Sequence, residues 1–156
     1  MRLVVVGIGN IFMQDDGLGV YVIQKLSERS WPEEVELVDA GIASFEILDV
    51  FCRADVIIVV DSMSVGGDPG TIYRAPLERL GLRSNGNITS MHELHFTEAI
   101  KVVNLMGYHP RVIVFGVEPY IVDVGLELTP LIADKMPRLL ELVEAEIKTI
   151  LSTAAL

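Results

Sequence analysis

The run Val4-Val5-Val6-Gly7-Ile8-Gly9-Asn10, followed by Asp15-Asp16-Gly17-Leu18-Gly19, constrains the fold more than any other stretch. Its apolar residues are continuous rather than alternating, which marks a strand covered on both faces. Residues 2–7 therefore read as the first strand of a parallel sheet, broken by a glycine turn. Helical spacing takes over across 17–26, where Leu18, Val22 and Leu26 share a face that Val20 and Ile23 widen. Strand, turn and helix form the opening unit of an α/β fold. In open parallel sheets, ligands sit beyond the carboxyl ends of the strands, which is where this unit places Asp15 and Asp16.

The rest of the chain alternates in the same manner. A second strand is expected at 35–38, closed by Asp39-Ala40-Gly41, and a helix at 44–53 with Phe45, Leu48, Phe51 and Cys52 on its apolar face. The third strand, 56–60, ends on Asp61. A Gly-rich loop over 62–69 leads to a short fourth strand at 71–74, and 80–90 reads as irregular. A helix over 90–106 opens on Ser90 with Glu93 three residues on, a capping box. A fifth strand at 111–117 ends at Glu118, and Pro130 opens a last helix over 130–152 at the favoured first position. The expected architecture is a three-layer α/β/α sandwich around a five-stranded, mostly parallel twisted sheet. Strand 4 follows strand 3 without a crossover helix, so it is expected to run antiparallel at or near an edge.

Composition narrows the function classes. With 156 residues, the chain is expected to form one domain, 1–156. A net charge of −10 argues against a nucleic-acid partner, because phosphate neutralisation needs clustered Lys and Arg. Cys52 is the sole cysteine, which rules out a disulfide framework or a thiolate cluster and reads as a small buried hydrophobe. No signal peptide is expected ahead of the first strand, and the longest apolar run is far too short to span a bilayer. A cytoplasmic protein, monomeric when free and without a membrane partner, is the expectation.

Right-handed crossovers bring Asp16, Asp39, Asp61 and Glu118 to one sheet edge, and the start of the 90–106 helix adds His92. Two carboxylates and an imidazole from separate loops suit a borderline divalent cation. Asp16, Asp61 and His92 are the candidate catalytic and metal-binding set. Each has a plainer reading: Asp16 as a helix N-cap, Asp61 as a turn cap, His92 as a polar residue in a first helical turn. His95 shares a helix face with His92 and is expected to support it, although the spacing is not H-E-x-x-H. His109 falls at the opposite edge. Asp15 reads as solvent-facing or as a helper to Asp16, and Asp39 as serving its own turn.

Gly7-Ile8-Gly9 also begins the dinucleotide fingerprint G-x-G-x-x-G, with Asp39 in the place of the ribose-binding acid. Its third glycine is Phe12, however, a side chain expected to obstruct close helix–strand packing, and the acidic pair would repel a pyrophosphate. No organic cofactor is expected. No serine stands in a nucleophile elbow, so a hydrolase on this scaffold would rely on metal-activated water.

Taken in order, Gly7-Ile8-Gly9-Asn10, Asp15-Asp16-Gly17-Leu18-Gly19, Asp39-Ala40-Gly41, Asp61, Pro69-Gly70-Thr71 and His92 resemble the hydrogenase maturation endopeptidases over nearly the whole chain. The resemblance implies an enzyme that removes a C-terminal extension from the nickel-loaded precursor of a [NiFe]-hydrogenase large subunit. Nickel would come with the precursor and be met by Asp16, Asp61 and His92. The family often has Glu where Asp16 stands, commonly Asp-Gly-Gly-Thr where Asp39-Ala40-Gly41-Ile42 stands, and usually Ala where Ser62 stands. Partner specificity is expected in loops such as 62–68 and 81–90. Two other readings remain: a non-catalytic metal-binding or docking module on the same residues, and a small nucleotide-binding α/β domain.

Overall fold

The computed structural model describes residues 1–42, 47–80 and 91–156, at 80 and 91–95 the backbone alone. Five strands, β1 (Leu3–Ile8), β2 (Val35–Gly41), β3 (Val56–Ser62), β4 (Ile72–Pro76) and β5 (Arg111–Val117), form one sheet in the order β2-β1-β3-β5-β4. All neighbours are parallel except β4, which pairs antiparallel with β5 at the edge, as its missing crossover helix requires. Between the strands lie α1 (Leu18–Ser27), α2 (Leu48–Cys52), α3 (Leu77–Leu80) and α4 (Met91–Leu105), and after β5 come α5 (Pro130–Ala133) and α6 (Met136–Ala154).

Strand alternation sorts the core into two layers. Leu3, Val5, Ile58, Val60, Ile113 and Phe115 point to one face, where Leu18, Val22 and Leu26 of α1 and Leu139, Val143 and Ile147 of α6 cover them. Val4, Val6, Ile57, Val59, Val112 and Val114 point to the other, against Phe51 of α2 and Phe96, Ala99 and Val103 of α4. There the Phe51 and Phe96 rings meet edge to face with centroids 5.5 Å apart. This is the three-layer sandwich the alternation predicts. No helix among the described residues is long and apolar enough to cross a membrane.

Several boundaries differ from the sequence reading. The last helix is divided, with α5 ending at Ala133 and α6 beginning at Met136. Pro137 accounts for the break: it lacks an amide hydrogen, and its ring opposes the carbonyl four residues earlier. β2 runs on to Gly41 because its pairing with β1 continues through a shift in register at Gly7/Ile8. α3 occupies residues 77–80, to which the sequence reading assigns no helix. The start of the helix expected at 44–53, the Ser90 cap and the loop 81–90 lie outside the described residues.

Phe12 requires a correction. Its side chain is 61% exposed and takes no part in helix–strand packing. The close approach is made instead by Gly7 and Gly19. A Cβ on Gly7 would lie 2.6 Å from the Gly19 carbonyl carbon. One on Gly19 would lie 2.7 Å from the Ile8 nitrogen, and closer still to the carbonyl oxygens of Ile8 and Val60. The first turn of α1 therefore rests on the ends of β1 and β3.

Candidate functional site

Strand order reverses at β1: the chain leaves it on one side to form β2 and returns on the other as β3. Such a switch point opens a crevice beyond the carboxyl ends of the two strands. Two of the acidic residues singled out in the sequence stand at this crevice. Asp61 is the sixth residue of the seven in β3, and Asp16 belongs to a 3-10 turn, Gln14–Gly17, that connects β1 to α1.

Both carboxylates are buried, Asp16 to 8% and Asp61 to 3% exposure. Asp16 Oδ2 accepts the Asn10 amide at 3.0 Å, and its Oδ1 accepts the Ser62 hydroxyl at 3.3 Å. Asp61 Oδ1 accepts the amide of Ser62 at 2.8 Å. The glycine turn makes this arrangement possible: Gly9 has φ +146°, and a Cβ there would overlap the backbone of Asp16. Asn10 thereby presents its amide to the carboxylate six residues on. The plainer reading of Asp16 as an N-cap does not hold, since Gly17 is the residue preceding α1 and no side chain caps it.

His92 and His95 lie in the first turns of α4, but their side chains are outside the described residues. Because α4 leads back to the amino end of β5, its first turn belongs to the carboxyl edge of the sheet, the edge that carries Asp16 and Asp61. Among the described residues, no group of three His, Cys, Asp or Glu side chains forms a metal cage. His109 is exposed just before β5, at the opposite edge. Asp39 is exposed and accepts the Gly41 amide at 3.0 Å, a turn role. Cys52 is half-buried against the layer of α2 and α4.

Asp15 departs from expectation. Rather than facing solvent, it is 1% exposed and serves as the anchor of a distant loop. Its oxygens accept the amides of Tyr120 at 3.0 Å, Ile121 at 2.8 Å and Thr129 at 2.8 Å, and the Thr129 hydroxyl at 2.9–3.0 Å. Backbone bonds from Gln14 to Gly125 and from Asp15 to Ile121 join the same segments. Gln14 is held in the left-handed region, at φ 49°, an uncommon arrangement for a non-glycine residue. Glu118 does the same for the loop after β3. It is buried and accepts the amides of Val65 and Gly66 at 3.1–3.2 Å and the Tyr73 hydroxyl at 3.0 Å. Burial, then the bond to Glu118 and its charge, raise the Tyr73 phenol above its ordinary pKa. Neither anchoring role is visible in sequence, because the partners of Asp15 lie more than a hundred residues away. The available signal was a second carboxylate beside Asp16 within an apolar neighbourhood.

The anchoring role of Asp15 carries a stability prediction. Asp15→Ala leaves three amides and a hydroxyl without their acceptor, the Thr129 pair buried and the Tyr120 and Ile121 amides partly so, at about 1–3 kcal/mol for each group that water cannot reach. A fall of about 3 kcal/mol or more in urea-unfolding free energy is expected, with Asp15→Asn losing less because one carbonyl acceptor remains. Equal stability of Asp15→Ala and the parent chain would refute the role.

Comparisons with known proteins converge on one family. The model of the HycI hydrogenase maturation protease family matches residues 20–146. The chain is 30% identical over 138 residues to the hydrogenase expression/formation protein HupD of Rhodobacter capsulatus, which covers 86% of this chain. It spans 66% of the length of that relative. It is 29% identical over 151 residues to the hydrogenase 2 maturation protease of Escherichia coli, covering 95% of this chain and 92% of the relative. Among solved structures, the hydrogenase maturating endopeptidase HybD of Escherichia coli superposes with a TM-score of 0.89 at 28% identity, over 96% of this chain and 93% of that one.

Proposed function

We propose a function from a plain premise: this chain belongs to the hydrogenase maturation protease family. It is an endopeptidase that removes the C-terminal extension from the precursor of a [NiFe]-hydrogenase large subunit after nickel has been inserted, and residues 1–156 act as one catalytic domain. The observation that carries this reading is the pair of buried carboxylates, Asp16 and Asp61, at the β1/β3 switch point of a chain in that family.

In this reading Asp16, Asp61 and His92 receive the nickel that the precursor presents. Carboxylate and imidazole donors suit a borderline divalent ion already held by other ligands on its far side. A metal so placed supplies polarisation of the scissile carbonyl or activation of a water. The protein contributes position: the Asn10 amide and the Ser62 hydroxyl fix Asp16, and the Ser62 amide fixes Asp61. Because the carboxylates are held before substrate arrives, little ordering remains to be done when the precursor docks. A precursor without nickel offers them no partner, so cleavage would report that the metal is in place.

The direct test is incubation with a nickel-loaded large-subunit precursor, followed by measurement of the precursor mass. Loss of a C-terminal peptide only when nickel is present is the expected result. A precursor that binds and is never shortened would overturn the enzymatic reading in favour of a docking module. Binding of a nicotinamide dinucleotide in a cofactor titration would instead support the nucleotide-binding alternative.

A further inference from the structure

We propose that Ser62 is a positioning residue that couples the two carboxylates of the site to each other, acting on the metal of the substrate only through them. The inference rests on the assignment of Asp16 and Asp61 as metal-meeting residues given above. It starts from the pleat of β3. Side chains at 57, 59 and 63 enter the layer of α2 and α4, whereas those at 56, 58 and 60 enter the layer of α1 and α6. Alternation therefore aims Asp61 towards the α4 layer, whose helix carries His92 in its first turn, and Ser62 towards the α1 layer, entered through the turn of Asp16. The two carboxylates approach the crevice from opposite faces of the sheet, and Ser62 donates a hydrogen bond to each.

Its two donors are divided between them. The backbone amide goes to Asp61 Oδ1 at 2.8 Å, which sets the rotamer of the preceding side chain. The hydroxyl, with its single proton, goes to Asp16 Oδ1 at 3.3 Å, across 46 residues of chain. Ser62 is itself 5% exposed, so bulk water does not readily replace either bond. A carboxylate oxygen accepts more than one partner, so being held by a donor does not bar it from a cation. Groups that orient metal-meeting side chains in this way typically account for about 10–100-fold in metal affinity or activity.

The test uses Ser62→Ala, which deletes the hydroxyl and keeps the amide, and Ser62→Thr, which restores a hydroxyl. Two readouts are taken on the full chain: processing of nickel-loaded precursor, and titration of the free protein with nickel ions alone, followed by amide chemical shifts at Ile8, Gly9 and Val117. For Ser62→Ala, about a 10-fold loss in both is expected, with a urea midpoint close to that of the parent. Recovery of both in Ser62→Thr is expected. Parent-like nickel response and processing in Ser62→Ala would overturn the inference. So would equal losses in both variants accompanied by equal losses of stability, since that pattern belongs to packing. If the parent chain itself neither responds to nickel nor shortens the precursor, the functional assignment fails instead, which keeps the two failures distinct.

Discussion

Asp16→Ala is expected to abolish processing of the nickel-loaded precursor while leaving the protein folded. The loss should exceed about 100-fold, the upper end of what removal of an outer supporting group costs, because here a group that meets the metal is removed. Its structural cost is smaller. The Asn10 amide and the Ser62 hydroxyl lose their acceptor, at about 1–3 kcal/mol for each that stays dry. Part of this is offset because a carboxylate no longer has to be held away from water. Asp16→Asn separates the two effects: it retains a carbonyl acceptor for those donors and removes the charge that a cation seeks. Loss of processing by both variants, with urea midpoints near that of the parent for Asp16→Asn, would locate the defect in metal contact. His92→Ala should behave in the same way. Normal shortening of the precursor by Asp16→Ala, read as its mass after incubation, would remove Asp16 from the site.

Prediction and structure agree most closely where local pattern and tertiary packing ask the same thing of a residue. The apolar runs of β1, β3 and β5 announce buried strands, and all three are central, with every residue buried but Arg111 at the start of β5. The antiparallel edge strand could be inferred from the missing crossover alone. The placement of Asp16 and Asp61 at the crevice was readable from sequence because one follows and the other ends a central strand, a place topology makes special whatever the detailed packing. Asp15 and Glu118 were not, since each is defined by loops that only the folded chain brings to it. The divided terminal helix was legible in principle: Pro137 lies inside a run whose 3.6-residue period otherwise continues, and periodicity outweighed the missing amide. Ser62 was visible only as a departure from a family pattern. Its meaning came from the pleat, which sends it to the opposite face from Asp61.

The second large effect is expected at Gly19, the residue that makes the close contact between α1 and the strands. A dinucleotide fingerprint sets its third glycine against the first strand, and Phe12 in that place is expected from sequence to block close packing. The contact is met seven residues later. Gly19 lies on the backbones of β1 and β3, where an added methyl would overlap the Ile8 and Val60 carbonyl oxygens, and Gly7 lies opposite it. These neighbours are main chain at the ends of two central strands, so no side chain can rotate away. Relief would require α1 to lift from the strands, uncovering Leu18, Val22 and Ile23, which are at most 4% exposed. Overpacking of well-filled sites costs about 1–3 kcal/mol, and more when backbone has to move. For Gly19→Ala a loss above about 3 kcal/mol is therefore expected, a large share of the about 5–15 kcal/mol by which domains are stable. Gly66→Ala provides the contrast. Its φ of +87° brings strain, but a Cβ there meets nothing within 4 Å, so a loss of about 1 kcal/mol is expected. Urea unfolding of the two variants would decide the matter. Near-equal stability would mean that α1 can shift without cost, and the turn holding Asp16 would then have no rigid floor beneath it.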